Sequence, residues 1–209
     1  MRKITKGDEP EVLTQWKRAH PRGRYSELST EERTSIRRAC IEEQHGLCAY
    51  CCHEITPDNA HNEHVEARDI APNRSLDFSN IVASCSRSKQ CGKAHAHQDL
   101  PLTSLMDECE TELKFYLSGR VEGLSPRAVT SIRVLNLGDS RENNRALFAA
   151  RKSILDALLY DSGMNGDDLE IADIELLTVL KEELEQPDNN NRLKPFAPVL
   201  VNVIRHLNA

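Results

Sequence analysis

The stretch CAYCCHEITPDNAHNEHVEARD, residues 48–69, places three cysteines within five positions and follows them with His61, Glu63 and His64. Whether this is one metal site, two, or a clip with spare histidines decides how the rest of the chain is read. Five of the seven cysteines (Cys48, Cys51, Cys52, Cys85, Cys91) and six of the eight histidines lie between positions 45 and 97. Reduced core cysteines would be scattered, and an odd count without a secretory leader argues against a disulfide framework. Metal ligation is the better reading. Cys48-x2-Cys51 offers two sulfurs from one turn, and Cys85-x5-Cys91 supplies a second, wider pair. Four thiolates saturate a tetrahedral Zn²⁺, which makes a closed structural clip for a region too small to own a core. Cys52, adjacent to Cys51, points elsewhere and is read as a spare thiol.

The whole chain sets the bounds. Its 209 residues are 39% hydrophobic but only 4% aromatic, so the core is mainly aliphatic. An α+β class, predominantly α-helical, is expected. No apolar run approaches the roughly 20 residues needed to span a bilayer. The opening MRKITKGDEPEVL lacks an apolar leader segment, so the expected location is the cytoplasm. Net charge is −6, distributed as +2 over residues 1–46, −2 over 47–100 and −6 over 101–209. A stand-alone nucleic-acid binder is usually basic, because counterion release from phosphates drives binding. A chain this acidic that acts on nucleic acid needs a metal or a basic partner to supply much of the attraction.

Three regions are expected: a helical extension over 1–46, a zinc-clipped core over 47–100, and a helical region over 101–209 suited to docking a partner. Ser29 and Glu32 form a capping box that opens a helix running to about His45, with Gly46 as its stop. His45 itself reads as a helix C-terminal residue favoured by the dipole. HEITPDNAHNEHVEA suggests a small local hairpin, with His53 and His61 as loop residues, and GKAHAHQD a short helix. Further on, helices are predicted from Thr103 to Ser118, for about ten residues after Ser125-Pro126, from Ser140 to Asp161 and from Leu169 to Glu185. FAPVLVNVIRHL closes the chain.

Between the cysteine pairs lie NEHVEARD, SNIVASC and CGKAHAH. This arrangement resembles the HNH nuclease family, whose core is a ββα-metal unit often bracketed by cysteine pairs. On that resemblance Glu63-His64 fits the first element, Asn80 the second, and His95 or His97 the third. The segments MRKITKGDEP and LNLGDSRENNRALFAARKSI are further similar to the HNH subunit of Septu-type anti-phage systems, which also occurs beside retrons. The resemblance implies an effector nuclease controlled by an ABC-type ATPase subunit, with a retron reverse transcriptase and its msDNA as further partners.

Chemistry accounts for these residue types. Phosphodiester hydrolysis needs an attacking water, charge neutralisation and help for the leaving oxygen. A neutral His64 can take a proton from water near neutral pH, where an unperturbed imidazole titrates at about 6.5. Glu63 can ligate a divalent cation, and on a strand the two neighbours would face opposite sides. Mg²⁺ or Mn²⁺ suits a carboxylate, an imidazole and waters. The resemblance assigns Asn80 to shaping the loop between strands and helix. It also puts a metal-binding His or Asn directly after the last cysteine, where this chain has Gly92. His95, about 60° round the helix from that slot, is preferred as the ligand over His97.

Arg68, Arg74, Arg87, Lys89 and Lys93 are candidates for phosphate contact or are simply solvated charge. Two other functions compete with the nuclease. A non-catalytic zinc scaffold would accommodate Gly92 but needs neither Glu63 nor His64. A zinc-dependent DNA-binding regulator would need a basic recognition helix that the sequence lacks. DNA is the expected substrate, with tRNA or other structured RNA as the alternative.

Overall fold

The computed structural model describes residues 1–207, the side chains of Arg141 and Glu170 excepted, so the last two residues of the expected 101–209 region lie outside it. Its class is α+β, with eight α-helices and two two-stranded antiparallel sheets among the described residues. The first helix, α1 (Glu11–Ala19), has no counterpart among the expected elements; it buries Leu13 and Trp16. α2 (Thr30–Glu43) starts at the expected capping box, where Ser29 Oγ accepts from the Glu32 amide and the Glu32 carboxylate accepts from the Ser29 amide. It ends before His45 and Gly46, both with positive φ.

The central sheet pairs β1 (Ala60–His64) with β2 (Ile81–Cys85), in register from Ala60↔Cys85 to His64↔Ile81. The local hairpin expected within 53–67 does not form. Residues 53–59 make only one bridge, Leu47↔Glu54, and β1 finds its partner across a 65–80 connection instead. The reason lies in β2, IVASC, which is buried throughout and is the most apolar strand available. Gln44 at the end of α2 completes its far edge. The Ala83 amide donates to Gln44 Oε1 (2.7 Å), and Gln44 Nε2 donates to the Ala83 carbonyl (2.9 Å), as a neighbouring strand would. One turn of helix, α3 (Gly92–His95), follows. Chain order is therefore strand, strand, helix.

The helix expected from Thr103 to Ser118 is replaced by a 3₁₀ turn (Asp107–Glu110) and a hairpin of β3 (Leu113–Phe115) with β4 (Val121–Gly123). Leu113, Phe115 and Val121 are buried with a period of two along the strands, and Gly119 at φ +88° forms the turn rather than a helix stop. α4 (Pro126–Leu135) and α5 (Arg141–Asp161) begin at the expected caps Ser125 and Ser140. The single helix expected over 169–185 is broken. α6 (Gly166–Ile171) ends at Ala172, and Asp173 caps a new helix, α7 (Ile174–Glu185), by accepting from the Leu176 amide (2.8 Å). α8 (Ala197–Leu207) packs on β3, where Asn202 accepts from the Phe115 amide (2.9 Å) and donates to the Leu113 carbonyl (2.7 Å).

A single apolar core runs from Met1 to Ile204 and knits the three stretches together. Arg151 crosses it fully buried, donating to the Gly119 carbonyl (2.6 Å) and the Leu137 carbonyl (2.9 Å). Desolvation pushes its guanidinium down to about 10, so it stays charged at neutral pH. It thereby ties α5 to the β-hairpin and to the α4–α5 elbow.

Candidate active site and the cysteine cluster

Cys48, Cys51, Cys85 and Cys91 converge, with all four sulfurs within 4.8 Å of one another and all four residues buried. Cys48 and Cys51 come from the turn after α2, Cys85 ends β2, and Cys91 precedes α3. The Cys85 amide points at Cys48 Sγ (3.3 Å), and Gln90 Nε2 at Cys85 Sγ (3.8 Å), as N–H donors around ligating thiolates do. Burial opposes ionisation of Cys48, but hydrogen bonds from Cys51, Cys85 and Cys91 outweigh it and hold this thiol well below its ordinary range. Four buried sulfurs at this separation, one of them already favouring thiolate, fit a structural metal such as zinc.

The second cysteine loop is fastened from outside. The Cys91 amide donates to the Leu135 carbonyl (2.8 Å), and Asn136 Nδ2 to the Lys89 carbonyl (2.7 Å). Asn144 Nδ2 bridges Gln90 Oε1 (3.1 Å) and the Asn136 carbonyl (2.9 Å). The α4–α5 elbow therefore sets where α3 begins.

Alternation along β1 turns His61 and Glu63 toward α3, and Asn62 and His64 toward α2 and the 65–80 loop. Glu63 sits between two imidazoles: His95 Nδ1 at 2.6 Å from Oε1 and His61 Nε2 at 3.3 Å from Oε2. His95 is fully buried and donates Nε2–H to the Gln98 carbonyl (2.8 Å). A carbonyl only accepts, so in the neutral ring the Nδ1 lone pair faces the carboxylate. Two such acceptors at this distance need positive charge between them, either a shared proton or a metal cation. Burial raises the Glu63 carboxyl, but its pairing with His61 and His95, through protons those rings carry when charged, prevails and holds it below the ordinary value. The carboxylate form is thus favoured, and Glu63 with His95 fits a hard divalent cation as donor set.

His64 occupies the opposite face. Its Nε2 donates to the Ser75 carbonyl (2.9 Å), which leaves the lone pair on Nδ1, and its ring meets Tyr25 edge-on with centroids 4.6 Å apart. Burial lowers its pKa below the usual imidazole value, against the Ser75 bond, so the neutral form prevails at neutral pH. Asn80 is buried just before β2. Its Oδ1 accepts from the Glu66 amide (2.8 Å), and its Nδ2 donates to the carbonyls of Glu66 (3.0 Å) and Arg74 (3.4 Å). It pins both ends of the loop that carries Ser75.

His97 is exposed and stands away from this cluster, while His95 faces it. His61 corrects the sequence reading: it lies on β1, not in a loop, and its signal is the i,i+2 spacing from Glu63, visible once the strand is drawn. Gly92 explains part of the arrangement. A Cβ there would stand 2.6 Å from His61 Nε2 and 2.7 Å from Glu63 Cδ, so His61 and Glu63 fill the space a side chain would use. Cys52 is buried at φ +61° and outside the cysteine cluster. His53 and His45 face Phe196 and Asn191 respectively. Of the basic candidates, Arg74 is committed to Glu66 and Asp77.

No protein-family model matches the chain, and no curated protein matches it in sequence. No helix among the described residues is long and apolar enough to cross a membrane.

Proposed function

We propose that the chain is a metal-dependent endonuclease of the HNH type, with the four cysteines holding a structural zinc. The observation that carries this reading is the pair of carbonyl-anchored imidazoles, one against the Glu63 carboxylate and one on the opposite face of the same strand. His64 and His95 both donate Nε2–H to main-chain oxygens and keep Nδ1 for chemistry, His95 against Glu63 on one face of β1 and His64 on the other. The strand–strand–helix order of 60–95 adds to it. A scaffold would have no use for a neutral buried histidine held in one tautomer beside an ionised carboxylate.

In this reading Glu63 and His95, with His61 alongside, would hold Mg²⁺ or Mn²⁺. A bound cation would neutralise charge on the phosphate and on the departing oxygen. His64 Nδ1 takes a proton from the attacking water, and its buried setting keeps the ring neutral for that task. Asn80 fixes the 65–80 loop and hence the Ser75 carbonyl that orients His64. Nucleic acid is the substrate, with DNA favoured and tRNA the alternative. Control by an ATPase subunit, with or without a retron reverse transcriptase and its msDNA, follows from the family resemblance. The exposed Ile171, Ile174 and Val179 on α6 and α7 are the apolar residues such a partner would cover.

The test is cleavage of plasmid DNA, single-stranded DNA and total tRNA with and without added Mg²⁺ or Mn²⁺, comparing the natural chain with Glu63→Gln. Cleavage that needs the cation and disappears in the variant is expected. Absence of cleavage of every substrate, with an ATPase partner also supplied, would favour the zinc scaffold.

A further inference from the structure

Although the chain is acidic overall, four of its arginines gather around Tyr25. Arg24 and Arg68 are exposed, and Arg33 and Arg37 are half-buried on α2. None of the four forms an ion pair among the described residues, whereas Arg120, Arg127, Arg192 and Arg205 of the later region are paired and Arg133 and Arg145, also unpaired, stand outside the cleft. Arginines left without carboxylates are free to bind other anions, and the guanidinium fork matches phosphate oxygens.

Two of these arginines line a cleft of about 430 Å³ bounded by Arg24, Tyr25, Arg68, Asp69, Pro72 and Ser75. Its floor is shared with the candidate active site. Ser75 supplies the carbonyl that accepts from His64, and Tyr25 stacks edge-on against the His64 ring. Tyr25 is also a hub. Its hydroxyl accepts from Asn62 on β1 (2.8 Å), and the guanidiniums of Arg33 and Arg68 stand 5.4 and 5.3 Å from its ring centre. Arg33 is oriented by donating to the Ser26 carbonyl (2.7 Å). The Arg33 and Arg37 Nε atoms are buried without a protein acceptor. One carboxylate, Asp69, intrudes on the cleft and is without an ion pair among the described residues.

We infer that this cleft is a phosphate subsite for a nucleic-acid backbone. Arg24 and Arg68 grip a phosphate flanking the scissile one and so present the strand to His64. The inference rests on the nuclease reading for its substrate, while the cleft and its unpaired arginines stand on geometry alone. An acidic chain can hold a polyanion in this way, by setting uncommitted arginines where they abut the site.

Binding and cleavage are measured separately on the full chain. Fluorescence anisotropy of a labelled DNA duplex without added divalent cation, over a salt series, compares the natural chain with Arg24→Ala/Arg68→Ala and with Asp69→Asn. The double arginine variant is expected to bind about tenfold or more weakly at low salt. Its slope of log affinity against log salt should be shallower by about 0.9, the value for one phosphate that the two arginines no longer neutralise. Asp69→Asn should tighten binding, a direction that damage to the fold does not produce. An unchanged affinity and slope in the double variant, weaker binding by Asp69→Asn, or no binding by the natural chain would each overturn the inference. Parallel cleavage assays separate it from the broader reading. Arginine-dependent binding without any cleavage would leave the subsite standing and remove the nuclease, while cleavage with arginine-independent binding would do the reverse.

Discussion

The cysteine cluster and the Glu63 cluster share two pieces of chain, a strand pair and the short helix after it, to which the first adds the turn after α2, and they differ in how completely each is filled. Cys85 ends β2 and Cys91 stands before α3, while Glu63 lies on β1 and His95 one turn beyond Cys91, its amide donating to the Cys91 carbonyl (2.9 Å). At the first, four buried sulfurs form a closed set. At the second, one carboxylate and two imidazoles would leave most positions of the proposed divalent cation to water and substrate. One short helix thus serves a closed set and, on the proposed reading, an open one that can still react.

The closed set is where a single change should do most damage. Cys91→Ser removes one ligand of four and the anchor of α3. It should abolish stoichiometric zinc and cost on the order of 5 kcal/mol or more, read as zinc content together with thermal unfolding. Retained zinc and an unchanged melting temperature would show the cluster to be ordinary core thiols, no different in kind from Cys40 or Cys109.

Gly92→Ala addresses the open set. Alanine suits a helix better than glycine by about 1 kcal/mol, so the backbone is not harmed, but its methyl must displace His61 and Glu63. Cleavage is expected to fall about 100-fold, the scale set by a misplacement near 1 Å, with the melting temperature nearly unchanged. His61→Ala should raise the half-saturating Mn²⁺ concentration for cleavage by about tenfold, whereas His97→Ala should change nothing. Equal effects of the two would mean that the imidazole beside Glu63 has no role there.

How much of this is legible in the sequence depends on whether a signal is local. The Ser29 capping box, the Ser125-Pro126 start and the cysteine spacing carry their chemistry within a few residues, and each element appears where expected. The 103–118 segment misleads because its apolar residues are sparse enough to fit either period. What decides it is the burial of Leu113 and Phe115 against α8 and the edge supplied by Asn202, which sits 87 residues from Phe115. His61 is obscured for a related reason. Its partner Glu63 is visible at i+2 only when β1 is known to be a strand, and β1 is a strand only because β2 pairs with it from residues 81–85. The break before α7 does leave a local mark, Asp173, but a cap inside an amphipathic run looks like any other polar residue until the helix axis turns.

On the proposed reading, holding and reacting are separate jobs done by separate residues. The decisive measurement is zinc content and Mg²⁺-dependent cleavage made on the same preparations of the natural chain and His64→Ala, with the chain purified without chelator. One zinc per chain in both, with cleavage present in the first and absent in the second, is the predicted result. Cleavage by His64→Ala at the natural rate, or zinc lost together with activity, would contradict it.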